Sequence, residues 1–171
     1  MAEPGRVLVA CVGNVLRGDD GFGQAVERHL ATSGALPPTV DLIETGIGGM
    51  AIVQQLMRGY DLLIVVDAVD RGAPPGTVFV LEPEVPEPSS LDPNDWHARF
   101  SNLHLAEPSR VLLLARALGV LPECVRIVGC QPLSCEEFSQ QLSPPIVAAV
   151  EVASRRVIEL ATQHTPLART A

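Results

Sequence analysis

The chain of 171 residues contains no lysine; its twelve basic side chains are all arginine, set against twenty aspartates and glutamates. The formal net charge of −8 argues against a nucleic-acid or anionic-membrane partner, since either needs a basic patch to displace counterions. Also missing is any apolar run close to the ~20 residues that span a bilayer. Residues 62–66 are too few, and Arg116 interrupts 111–121. The opening residues include Glu3 and Pro4 and lack a basic stretch ahead of an apolar one, so no secretory leader is expected. The four cysteines, Cys11, Cys124, Cys130 and Cys135, form no Cys-x-x-Cys pair. Reduced thiols in a cytoplasmic protein are therefore the expectation.

What is present describes a globular unit. Apolar residues make up 47% and charged residues 19% of the chain, a balance that supports a packed core. At this length folding buries roughly 70% of the open chain's surface. With no internal repeat evident, a single domain over 1–171 is expected.

Residues 6–12 form a continuous apolar run, the pattern of a strand buried on both faces. Phe22, Ala25, Val26 and Leu30 then recur at helical spacing, predicting a helix from about Asp19 to Gly34. A short strand fits 40–43. After the glycine-rich turn 45–49, Met50, Val53 and Met57 mark one face of a short helix. Residues 61–67 are the clearest central strand, and 77–81 a further one. Residues 82–100, with prolines at 83, 86, 88 and 93, read as a mobile excursion. Val111, Leu114, Ala115 and Leu118 restore helical periodicity, 125–130 reads as a buried strand, and a long amphipathic helix follows Pro144-Pro145. Residues 164–171 read as a frayed tail. Strands alternating with helices imply an α/β, three-layer sandwich: a mostly parallel, twisted sheet of about five strands with helices on both faces.

In such a sheet, ligands bind at the carboxyl ends of the strands. Two segments there are unusual: the loop of residues 13–23, and Asp67, which ends a run of large aliphatics. The loop follows a strand and precedes a helix, as a phosphate cradle does, but its glycine spacing is wrong and no Walker lysine exists. Asp19 and Asp20 would also oppose a phosphate at the helix N-terminus. One aspartate suffices as an N-cap, and that task is assigned to Asp19. Asp20 is then free to point into the crevice beside Asp67. Two carboxylates there invite a metal ion or acid–base chemistry. Among the histidines, His104 precedes a helix and is the best third member by position, with His97 in the proline-rich segment as the alternative. Two carboxylates and a histidine suit a borderline divalent ion such as Ni²⁺, Zn²⁺ or Fe²⁺. No Ser-His-Asp or Cys-His arrangement is evident.

The segment Val12-Gly-Asn-Val-Leu-Arg-Gly-Asp-Asp-Gly-Phe-Gly23 resembles the N-terminal signature of [NiFe]-hydrogenase maturation endopeptidases. Gly46-Ile-Gly-Gly-Met50, Asp61-Leu-Leu-Ile-Val-Val-Asp-Ala68, a histidine before an apolar helix, and Val128-Gly-Cys-Gln-Pro132 follow in matching order, so the likeness runs from about Arg6 to Leu160. The resemblance implies a protease that removes the C-terminal extension of a hydrogenase large-subunit precursor after nickel insertion. Asp20, Asp67 and His104 would recognise the nickel that the precursor carries, so Ni²⁺ comes with the substrate rather than being held permanently. Asn14, Glu44 and Gly46 belong to the supporting loops. Glu44-Thr45-Gly46 departs from the family's usual Asp-Gly-Gly, so Glu44 would substitute for that aspartate.

On this reading Asp20 and Asp67 are ionised near neutral pH and His104 is neutral, and the protein acts as a monomer. Two other classes stand beside it: a metallohydrolase that holds its own divalent ion and acts on small molecules, and a non-catalytic nucleotide- or metal-binding module.

Overall fold

The computed structural model describes residues 5–90 and 108–164. Its five strands are β1 (Val7–Val12), β2 (Val40–Gly46), β3 (Leu62–Ala68), β4 (Val78–Leu81) and β5 (Cys124–Cys130). They form one sheet in the order β2-β1-β3-β5-β4. β1 pairs in parallel with β2 (Val7 with Val40) and with β3 (Val7 with Leu62), and β3 pairs in parallel with β5 (Asp67 with Gly129). β4 closes one edge antiparallel to β5. The mostly parallel α/β sheet expected from the sequence is therefore the architecture found.

Side chains alternate across a strand, so each central strand contributes to two cores. Val7, Val9 and Cys11 of β1, with Leu62, Ile64 and Val66 of β3, face the helices α1 (Phe22–Ser33) and α4 (Pro144–His164). Leu8, Ala10 and Val12, with Leu63 and Val65, face α2 (Met50–Leu56) and α3 (Pro108–Ala117). Both faces of β1 are buried, which is why its sequence shows no polar alternation. Each fully buried Val, Leu, Ile or Phe contributes roughly 1.5–3 kcal/mol relative to exposure. Ala149, Ala153 and Ala161 on α4 are buried, and these short side chains let the helix lie close to the sheet.

Two local expectations are corrected. The first helix does not begin at Asp19: a 3-10 turn occupies Gly18–Gly21, and α1 starts at Phe22. It ends as predicted at Gly34, whose φ of 62° is the left-handed cap that glycine accepts. On α2 the core face is Ile52, Val53 and Leu56, whereas Met57 is 68% exposed. Met50 and Met57 shared helical spacing with Val53, but the sheet lies against the neighbouring stripe.

Residues 82–90 carry a 3-10 turn at Pro88–Ser90 and are tied to the rest of the fold. Arg116 donates to the Val85 carbonyl (2.6 Å) and to Glu87 (2.9 Å), and Val85 packs against the core.

The chain leaves β1 toward β2 on one side and later returns to place β3 on the other. The switch point, where ligands bind in open α/β sheets, thus lies between the carboxyl ends of β1 and β3. The loop bearing Asp20 and the strand end bearing Asp67 meet there.

Candidate functional site

The loop after β1 is closely folded, and its glycines make that possible. Gly13 adopts φ +145°, and a Cβ there would fall 2.0 Å from the Asp20 carbonyl oxygen. A Cβ on Gly23 would fall 2.0 Å from the Val12 carbonyl oxygen, so this glycine lets the first turn of α1 touch the end of β1. The Asn14 amide donates to the Asp20 carbonyl at 3.1 Å, while its side-chain oxygen accepts the Leu16 amide at 3.0 Å. Asn14 therefore organises the turn that presents Asp20.

Asp19 is not a helix cap. The residue before α1 is Gly21, with no side-chain cap. Asp19 is 2% exposed and its carboxylate turns toward residues 133–143. It accepts the amides of Leu133 (2.9 Å), Ser134 (3.2 Å) and Ser143 (2.7 Å) and the Ser143 hydroxyl (2.9 Å). Backbone bonds reinforce the junction: the Gly18 amide donates to the Ser139 carbonyl (2.7 Å) and the Ser139 amide to the Leu16 carbonyl (3.1 Å). The loops after β1 and β5 are thus fastened into one body, with Asp20 on its crevice side.

Asp67 is 8% exposed at the end of β3. By strand alternation it shares the face of Leu63 and Val65, the side covered by α2 and α3. Burial, followed by repulsion from Asp20, pushes its carboxyl up to about 8, while the Ala68 backbone pulls the other way. Asp20 is also raised, chiefly by burial; the Asn14 backbone and the Arg17 charge partly offset this. The expected ionisation near neutral pH is therefore opposed at both carboxyls, most strongly at Asp67, where a second negative charge beside Asp20 is costly in the metal-free protein. A cation placed between the two would relieve that cost.

The neighbouring groups complete the crevice. Glu44 is exposed at the end of β2 and lies 3.4 Å from the Gln24 side-chain nitrogen, which also donates to the Gly13 carbonyl at 2.6 Å. The Gly46 carbonyl accepts the Gly13 amide at 3.0 Å, and Gly46 itself turns with φ +52°. At the end of β5, the Gln131 side chain accepts the amides of Arg71 (2.7 Å) and Ala73 (3.2 Å) and donates to Asp70 (2.9 Å). It thereby fixes the chain leaving Asp67. The Cys135 thiol feels the charges of Asp20, Asp19 and Asp67 and, through burial first, is raised to about 11. Burial likewise raises the Cys11 and Cys130 thiols. Gln24 was missed in the sequence, its only signal being a glutamine at a buried helix start; Gln131 belongs to the quoted segment Val128-Gly-Cys-Gln-Pro132, but its task of holding residues 70–73 was not read from it.

The structure thus brings together Asp20 and Asp67, with Asn14 in the adjoining loop and Glu44 and Gly46 at the end of β2. His104 and His97 lie outside the described residues. Among the described residues, no group of three or more His, Cys, Asp or Glu is arranged to hold a metal ion, and no helix is long and apolar enough to cross a membrane.

The family model described as "HycI: Hydrogenase maturation protease" matches residues 25–160. The chain is 36% identical over 155 residues to the hydrogenase expression/formation protein HupD of Rhizobium leguminosarum bv. viciae, covering 88% of this chain and 73% of that one. It is 32% identical to the hydrogenase 2 maturation protease of Escherichia coli, covering 90% and 88%. Among solved structures, the hydrogenase 2 maturation peptidase of Thaumarchaeota archaeon SCGC_AB-539-E09 superposes with a TM-score of 0.65 at 36% identity, covering 92% and 98% of the two chains. The hydrogenase maturating endopeptidase HybD of E. coli gives 0.72 at 29%, covering 92% and 93%.

Proposed function

The chain belongs to the hydrogenase maturation protease family, and we propose on that premise that it cuts the C-terminal extension from a [NiFe]-hydrogenase large-subunit precursor once nickel is in place. The observation that carries this reading is the pair Asp20 and Asp67. They are two carboxyls at the switch point of the sheet, raised by burial, with Asp67 raised further by the charge of Asp20.

Nickel enters as part of the substrate. Its charge favours the ionised form of both carboxyls, so docking displaces the Asp67 proton and turns a repulsive pair into two ligands. His104 is the proposed third. α3 precedes a parallel strand, so it begins at the carboxyl end of the sheet, on the face that Asp67 shares. His104 stands four residues before Pro108, a span of at most ~14 Å. Recognition and timing are thereby linked: a precursor without the ion offers nothing to neutralise the acidic pair.

For hydrolysis, the scissile carbonyl must lie beside the same pair. Asp20 is the half-buried, more accessible carboxylate of the pair, and its access to the crevice suits a general base. It takes a proton from water as the oxygen adds to the carbonyl carbon. The proton then passes to the amide nitrogen as the C–N bond breaks, leaving a new carboxylate on the large subunit and a free amine on the extension. The ion can polarise the carbonyl during this step.

The test is incubation with nickel-loaded and nickel-free precursor, read by intact mass. Loss of a C-terminal peptide in the nickel-loaded sample alone is expected; equal cutting of both would contradict the role of the ion. Full processing by Asp20→Ala, Asp67→Ala and His104→Ala would contradict the site.

A further inference from the structure

Six of the large apolar side chains exposed among the described residues lie at the carboxyl ends of the strands, five in loops and one at the start of α2. Val15 and Leu16 follow β1, Ile47 and Met50 follow β2, and Leu133 and Phe138 follow β5. Phe138 is 87% exposed, although the loop that carries it is clamped through Ser134, Ser139 and Ser143 to the loop of Asp19 and Asp20. A phenylalanine held in water by an anchored loop is not a product of local fraying. Beside it, a hollow of about 350 Å³ is lined by Leu133, Leu142 and Pro144 and, for its larger part, by polar residues that include Glu137, Ser139 and Gln141. Exposed apolar clusters bordered by polar groups mark interaction surfaces, and aromatic anchors beside pockets are where binding energy concentrates.

We propose that this apolar rim is the docking surface for the large-subunit precursor, with Phe138 and Leu133 as its anchors. The proposal rests on the function given above. Any substrate protein that brings a peptide bond to Asp20 and Asp67 must cover the loops that border them, so the rim is continuous with the surface that catalysis requires. Glu136 and Glu137 are exposed beside Phe138. The matching precursor surface is accordingly an apolar segment flanked by basic residues. The rim governs affinity and leaves the bond-breaking groups untouched.

The experiment compares the full-length wild type with Phe138→Ala, Leu133→Ala and the double variant, and with Leu118→Ala as a control. Leu118 is also exposed but follows α3, away from the crevice. Binding is read with nickel-free precursor, and KM and kcat with nickel-loaded precursor. The rim variants should weaken binding and raise KM at least about tenfold, with kcat at saturation and the melting temperature unchanged. Phe138→Trp should restore affinity, and Leu118→Ala should match wild type. If the wild type cuts the precursor and the rim variants bind and cut equally well, the docking proposal is overturned while the function stands. If the wild type binds through the rim but never cuts, the function falls and the docking surface stands; no binding overturns both. Rim variants that abolish a self-association of the wild type, with precursor binding intact, would assign the rim to copies of this chain and overturn the proposal.

Discussion

At the amino ends of the strands, Asp41 sits in a ring of partners. Arg6 reaches it at 3.0 Å, the Tyr60 hydroxyl donates to it at 2.5 Å, and the guanidinium lies over the Tyr60 ring at 4.6 Å. At the carboxyl ends, Asp67 has Asp20 for its neighbour and is raised by it. The same sheet therefore neutralises a carboxylate at one end and crowds two at the other. A hollow of about 490 Å³ also lies at the amino end, beside Tyr60 and Asp61, yet cavity size does not mark the chemistry. Electrostatic discomfort does: perturbed carboxyls concentrate where a ligand is to resolve them.

Removing the crowded carboxyl should show the largest effect on stability. Asp67 is raised from 3.8 to about 8, so between those values the unfolded chain releases a proton that the folded chain keeps. Stability is then unpenalised below pH 4, falls as pH rises, and levels off above pH 8. At 1.36 kcal/mol per unit the fall is up to about 6 kcal/mol. Denaturant titrations across that range should show it in the wild type, and Asp67→Asn should flatten it. Asp20, raised in the same direction, leaves a smaller residual slope.

The next effect is on turnover. Asp20→Ala and Asp67→Ala should each lower kcat/KM for precursor processing by about 10³ or more, whereas Asp41→Asn should stay within about twofold. Asp19→Ala should cost roughly 3 kcal/mol in chemical denaturation, because it strands three amides and a hydroxyl at a buried junction. The smallest effect belongs to the amino end. Arg6 and Asp41 are each nearly half exposed, and Arg6→Ala should cost about 1 kcal/mol or less.

The contrast between the ends also explains what the sequence could reveal. The buried strands were legible because 6–12 and 61–67 lack polar alternation, and Asp67 stood out as a charge ending such a run. The topology that pairs it with Asp20 follows from alternating strands and helices. The task of Asp19 was not legible: its partners lie 114–124 residues away, and two adjacent aspartates look alike until the loop after β5 folds onto one of them. The core face of α2 was misread because methionine fits both stripes of that helix. The raised proton affinity of Asp67 was not legible either, since its burial sums over β1, β3 and the helices above them.

The most direct test of the crowded pair is the titration of the Asp67 carboxyl carbon by NMR in metal-free protein. A midpoint near 8 is expected, moving down in Asp20→Asn yet staying above the ordinary aspartate value because burial remains. A midpoint in the ordinary carboxylate range, unmoved by Asp20→Asn, would contradict that expectation.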